Sequence, residues 1–579
     1  MNQNPFNHSH FIGYINQVSP QFVKIHFPSS VLMKSFSFYG EDLTGGLVGS
    51  YVVIEGEKNG FLGKILELNL PEKERLELSE KSFNTKDFHP TGKIEILISF
   101  DLFNPNVVDK GLNSLPLIGS KVFICSSEFI KNYFKGFGVK SEHRDTAPII
   151  KFGKLTYDKT TTIEISQQAL FSRHCAVVGT TGGGKSYTVS KLIEGIIENK
   201  SKAIIIDPTG EYSTYDNKPE VEKTILITDS YFSYKKLTIG DLFVLFRPAG
   251  QVQQPILIEA IKSLKIAECM LTNRDKHTIE SEVGQRITFK IKEKQNLILD
   301  FGCLLKDGML KNPFLNMYFK YKAVIEDTSV SEFNINLLPK QIYNESVYDN
   351  GNVWGGHDAR NWGNSTSLVM RINNILNDND YKKMFGFEEN QNKDLISVIE
   401  TFLKSDKNIL RIGFENVPYN FQVREILANA IGKYLLNISR RNEFKSNPLV
   451  LFVDEAHQFL NKKVKDEYFE STELNSFDTI AKESRKYGLF LCIATQMPRD
   501  IPIGTLSQVG TFISHRLINH QDKEAIANAC SSANRDTLAF LPTLGAGEAI
   551  LMGVDFPMPV MLKVDLPEIE PNSSTPLFK

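Results

Sequence analysis

The stretch Cys175–Ser186, "CAVVGTTGGGKS", decides the fold. Cys175 to Val178 form an apolar run with the length of a buried strand. Gly179–Ser186 satisfies G-x-x-x-x-G-K-[ST] at every position, and "SYTVSKLIEGI" (Ser186–Ile196) then takes up helical spacing. Strand, glycine-rich turn and helix in that order make a phosphate loop, whose backbone N–H groups wrap phosphates at a helix N-terminus. The spacing assigns Gly179, Thr180, Thr181, Gly182, Gly183, Gly184 and Tyr187 to nucleotide contact. Lys185 reaches the β and γ phosphates of ATP, and the Ser186 hydroxyl holds Mg²⁺.

A phosphate loop needs an acid at the end of a neighbouring strand. "LVLFVDEAH" (Leu449–His457) supplies five apolar residues and then Asp454 and Glu455. Asp454 is the second Mg²⁺ residue, and Glu455 is placed to orient or deprotonate the attacking water. "SKAIIIDPTGEYS" (Ser201–Ser213) ends another strand at Asp207, with Glu211 close behind. Two readings are open for this pair: support for the nucleotide site, or a turn built with Pro208 and Gly210. "GLFLCIATQ" (Gly488–Gln496) brings Gln496 to a strand end, where it either senses the γ-phosphate or is a satisfied loop residue. His457 and His515 read as structural histidines beside strands. No G-x-S-x-G elbow and no nuclease carboxylate–lysine set is visible, so the legible chemistry is ATP hydrolysis.

The chain has 579 residues, of which 41% are apolar and 23% charged, so it can bury a large core. Its net charge of −2 excludes a globally basic nucleic-acid coat and confines any DNA contact to a local surface. Cys125, Cys175, Cys269, Cys303, Cys492 and Cys530 form no CxxC pattern, which fits a reducing cytoplasm. Neither a signal peptide nor a membrane span is legible, and the expected location is cytoplasmic.

The overall class is α/β, a P-loop core with a mostly parallel central sheet. Residues 1–145 carry short β-branched and aromatic runs between turn signals, the texture of a small β-barrel or sandwich, with a hairpin at Lys58–Asn59–Gly60. Residues 146–250 hold the first part of the core and 251–405 a mainly helical insertion. The second part of the core is 406–565, and 566–579 is a polar tail. "VWGGHDARNWGN" (Val353–Asn364) holds both tryptophans, Trp354 and Trp362. It is open whether this loop contacts a partner or DNA, or is a turn that uses tryptophan for packing.

Several segments occur in order: "CAVVGTTGGGKS", "IIIDPTGEY", "LVMRINNILND", "LVLFVDEAH", "ESRKYGLFLCIATQMP", "GTFISHRL" and "GEAILMGVDFPMPV". Together, from about residue 165 to about 565, they resemble the HerA family of DNA-translocating ATPases, within the HerA/FtsK group of RecA-like proteins. The resemblance implies a homohexameric ring with a central DNA channel, and it identifies residues 1–145 with the family's HAS-type barrel. It assigns Arg485 as an arginine finger inserted into the neighbouring subunit's site, in preference to Lys486, which lacks the planar fork. Arg173 looks like a family arginine near the nucleotide, or else a surface residue opening a strand. Lys462, Lys463 and Lys465 are either the DNA contacts, gripping phosphates without reading sequence, or a solvated charged loop. The family also implies a partner docking on the barrel, a nuclease or a sirtuin-like NAD-consuming effector, in DNA end processing or phage defence. An alternative function is a ring scaffold that assembles and activates such an effector.

Overall fold

The computed structural model describes residues 5–20, 22–38, 41–76, 86–102, 108–109, 114–135, 146–156, 161–388, 391–419, 422–460, 463–466, 469–530, 533, 535–554 and 556–573. The chain divides into two compact units, each assembled from discontinuous segments. The first comprises Met1–Ala203, Pro448–Val453 and Phe490–Lys579; the second comprises Ile204–Asn447 and Asp454–Leu489.

The first unit begins with a closed antiparallel barrel. Around the ring, Phe22–His26 pairs with Phe11–Val18, followed by Lys121–Ile124, Tyr51–Glu55, Asn59–Asn69 and Thr91–Asp101, which pairs back onto Phe22–His26. Alternation sends Ile12, Val23, Ile25, Val52, Ile54 and Phe61 into a common core. The expected hairpin around Asn59–Gly60 is present, with Glu55 opposite Gly60.

The α/β part of this unit orders its strands Thr162–Ser166, Ile149–Leu155, Phe556–Val564, Glu548–Gly553, Thr511–Ser514, Cys175–Val178, Leu489–Thr495 and Leu449–Val453. Pairing is parallel on both sides of Cys175–Val178 and antiparallel from Thr511–Ser514 outward, so the sheet is mixed. Glu548–Gly553 and Phe556–Val564 pair antiparallel because their connection is too short for a parallel crossover.

In the second unit, Ile409–Gly413 runs parallel to Val221–Ile225, with Lys202–Asp207 on its other side. Helices Gln253–Thr272, Ala359–Asn377 and Leu395–Lys404 fill much of residues 251–405, as helical spacing predicts. The same stretch also carries an antiparallel sheet of four strands, Thr278–Val283, Arg286–Lys292, Gln295–Asp300 and Cys303–Leu304. "RITFKIK" and "QNLILD" alternate with the strand period that the flanking helical segments mask. Phe289, Leu297 and Leu299 pack there with Ile266, Met270, Phe314 and Met317. Among the described residues, no helix is long and apolar enough to cross a membrane.

Candidate functional site

The phosphate-loop residues lie in the first unit. The strand Cys175–Val178 ends into Gly179, and Lys185 opens the helix Lys185–Glu198, whose N-cap is Gly184. Gly182 and Gly184 take φ of +74° and +112°, a region that side chains rarely adopt. The loop is pinned on several sides. Gly179 N–H donates to the Thr495 carbonyl at 3.3 Å, Thr180 N–H to the Arg516 carbonyl at 2.9 Å, and Gly547 N–H to the Gly183 carbonyl at 3.1 Å. Lys185 Nζ donates to the Thr180 carbonyl at 3.4 Å, so the cation lies over its own loop.

Gln496 reaches this loop, accepting from the Thr181 hydroxyl at 2.7 Å. The parallel register sets Val178 opposite Thr495, so the two strands deliver Gly179 and Gln496 side by side. Tyr187 donates to Glu570 at 3.2 Å, and Ile569 N–H donates to Glu194 at 3.1 Å, which lays residues 569–570 along the loop's helix. Arg173 is half-buried one residue before His174, and its carbonyl accepts from Gly510 N–H at 2.6 Å.

The acids lie in the second unit. Asp454 follows Leu449–Val453 directly, and its N–H donates to the Ile206 carbonyl at 3.2 Å. Its carboxyl is buried and held well above the usual carboxylate range, by burial first and then by the charges of Glu211, Glu455 and Asp207. Glu455 sits at φ +44°, with its carboxylate 3.2 Å from His457 Nδ1.

Asp207 is wholly buried and does what the turn reading requires. It accepts from the N–H groups of Gly210, Glu211 and Tyr212 at 2.8, 3.1 and 3.1 Å. It also takes a charged bond from Arg411 at 3.1 Å. The same guanidinium grips Asp216 through two bonds of 2.7 and 2.8 Å and Glu415 at 3.0 Å. This network was not anticipated. The signal for it is "NILRIGF", in which an arginine interrupts a strand of buried apolar residues and must therefore meet buried anions. Arg424 is a second buried guanidinium, donating to the carbonyls of Val417, Pro208 and Phe414 at 2.9 to 3.1 Å.

Arg485 and Lys486 are exposed on the turn Ser484–Tyr487. Two features fix that turn. The single Ser484 hydroxyl proton is within reach of the Ile480 and Leu489 carbonyls, at 2.8 and 2.6 Å, and Gly488 at φ +83° packs so close to Phe444 that a Cβ there would fall 2.1 Å from its carbonyl oxygen. Lys486 lies 4.9 Å from the Tyr487 ring centroid. Lys463 and Lys465 fall on the strand Lys463–Asp466, paired with Phe469–Glu473, while Lys462 lies outside the described residues. Trp354 packs edge-on against Phe314 beneath Lys306, and Trp362 meets Tyr343 edge-on at 5.1 Å, so both tryptophans serve packing.

The family model of the helicase HerA central domain matches residues 150–420, and that of the helicase HerA-like C-terminal domain matches residues 440–573. A probable helicase of Methanocaldococcus jannaschii is 26% identical over 427 residues, 72% of this chain and 70% of that protein. A probable DNA double-strand break repair helicase HerA from the same organism is 24% identical, over 78% of this chain and 82% of that one. Among solved structures, VirB4 of Thermoanaerobacter pseudethanolicus aligns with a TM-score of 0.47 at 13% identity, over 73% of this chain and 97% of that one. With its barrel, its phosphate-loop α/β core and both family domains in order, the chain belongs to the HerA helicase family and is a P-loop ATPase.

Proposed function

We propose that this chain is an ATP-driven DNA translocase or helicase that works as a homohexameric ring around its DNA. The observation that carries the reading is the phosphate loop, stitched to three neighbouring segments and set in a chain whose relatives are named as helicases. In this reading Lys185 holds the β and γ phosphates, Gln496 responds to the γ-phosphate, and Glu455 takes the proton of the attacking water. Arg173 adds charge near the nucleotide, and Asp207 holds the turn behind the acids. Arg485 is exposed on a stiff turn, as a group that serves a neighbouring subunit must be.

Ser186 and Asp454 offer a hydroxyl and a carboxylate oxygen, the hard donors that Mg²⁺ takes. Burial raises Asp454 first, and the charges of Glu211, Glu455 and Asp207 add to it; such crowding of carboxyl groups is of the kind a divalent cation relieves. When bound, Mg²⁺ supplies charge neutralisation on the phosphate oxygens. Lys462, Lys463 and Lys465 are proposed to grip the DNA backbone. The effector, a nuclease or a sirtuin-like enzyme acting in end processing or phage defence, docks on the barrel away from the face that Tyr51 and Lys64 bury.

The test is the ATP hydrolysis rate of the full chain with and without linear duplex DNA. DNA is expected to raise the rate, and Lys185→Ala to lower it by about a hundredfold or more. A rate indifferent to DNA in a protein that stays monomeric would overturn the reading.

A further inference from the structure

His515 belongs to the phosphate loop although it is distant from it in sequence. It is the first residue after the strand Thr511–Ser514, whose register sets Ser514 opposite Val178. The two strands therefore leave the sheet together, and His515 emerges beside Gly179, its N–H donating to the Val178 carbonyl at 2.8 Å. The side chain is fully buried under the loop. A Cβ on Gly179 would fall 2.6 Å from His515 Cβ, and one on Gly184 would fall 3.3 Å from its Cε1. The imidazole thus fills the space that the loop's glycines leave.

Both ring nitrogens are engaged. Nδ1 lies 2.9 Å from the Glu548 carbonyl, and Nε2 lies 2.8 Å from the Thr188 hydroxyl. A carbonyl only accepts, so Nδ1 carries the hydrogen, and Nε2 accepts the Thr188 proton. Burial pushes the imidazole down to about 4, the Glu548 bond opposes this, and the Lys185 charge adds to it. The neutral ring therefore ties the first turns of the loop's helix to the strand Glu548–Gly553. Beside it, Gly547 N–H donates to the Gly183 carbonyl.

We propose that His515 is a positioning residue for nucleotide binding: bridged between Thr188 and Glu548, it holds the phosphate loop open in its phosphate-receiving shape. The inference rests on the ATPase reading of the loop. It assigns a function to "SHR" and to the start of "GEAI", and it makes Thr188 the partner through which His515 acts.

The test uses the full chain and reads KM for ATP, kcat, and the dissociation constant of a non-hydrolysable ATP analogue. Thr188→Val keeps the shape of the side chain and removes the donor, leaving Nε2 buried and unpaired. It is expected to raise KM and the dissociation constant about tenfold with kcat within about twofold of wild type. Thr188→Ser restores the donor and should restore both constants. His515→Phe is expected to weaken binding similarly, and adding Thr188→Val to it should cost little more, because the two changes break one bridge. The proposal is overturned if Thr188→Val binds the analogue as wild type does, or if it lowers kcat with KM unchanged. Lys185→Ala separates the readings. If that variant still hydrolyses ATP, the ATPase reading of the loop fails; if only Thr188→Val is silent, the His515 bridge alone fails.

Discussion

Arg411 carries a full charge almost wholly out of water, a placement that persists only with compensating anions. Asp207, Asp216 and Glu415 provide them, and one guanidinium thereby holds the turn after Asp207 and the strand Ile409–Gly413 in a fixed relation. Burial disfavours the cation, and the surrounding carboxylates more than offset that penalty. Removing the guanidinium leaves three carboxylates facing one another. Arg411→Met is therefore expected to destabilise the protein by about 3–5 kcal/mol, read by urea unfolding. Adding Asp216→Asn should recover part of the loss. A change under about 1 kcal/mol would mean that the cluster is merely tolerated.

The barrel strand Asn59–Asn69 shows how a neighbour redefines an element. Phe61 and Ile65 face the barrel core, so alternation sends Lys64 to the outside. The outside at this point is not solvent. Lys64 Nζ approaches Met561 Sδ at 3.4 Å and lies over the Phe540 ring, while Tyr51 donates to the Pro559 carbonyl at 2.9 Å. Burial lowers the lysine to about 8, with Glu95 opposing. The unfolded chain keeps that proton to about pH 10.4. Between the two values only the unfolded state is protonated, so stability rises with pH. Melting temperature should therefore gain from this group between pH 7.5 and 9.5, and Lys64→Met should lose that gain. Parallel pH profiles for the two proteins would remove Lys64 as its source.

At the scale of the whole molecule, the proposed ring has each subunit serve two sites. Arg485 stands exposed on a turn tied down by Ser484 and Gly488, suited to a role outside its own subunit. Lys185→Ala and Arg485→Ala should each abolish hydrolysis. In a random equal mixture about a quarter of the sites would pair an intact lysine with an intact neighbouring arginine. The expected result is a rate near that fraction of wild type. If no mixing ratio restores hydrolysis, Arg485 does not act in trans.

Much of this was legible before any coordinates. "GTTGGGKS" dictates a loop, because only glycines allow the backbone to turn its N–H groups inward, and the apolar runs before it and before Asp454 could only be buried strands. The β character of residues 1–145 is legible as short runs between turn residues, which suit a barrel or a sandwich; closure rests on the pairing of Phe22–His26 with Thr91–Asp101. The strands within residues 278–304 were less visible, since helical segments surround them and period-2 runs of exposed polar residues look like loop. Local pattern sets local structure, because backbone sterics and hydrophobic period act over a few residues. Partnership is set by which distant segments the sheet brings into register. The sequence by itself determined that Gly179–Ser186 forms a glycine-rich loop between a strand and a helix, and that a buried strand ends just before Asp454. Only the tertiary structure decided that His515 lies beneath the loop, that Asp207 is claimed by a turn and by Arg411, and that Lys64 is buried. Each of those contacts joins residues far apart in the chain, and no local period encodes them.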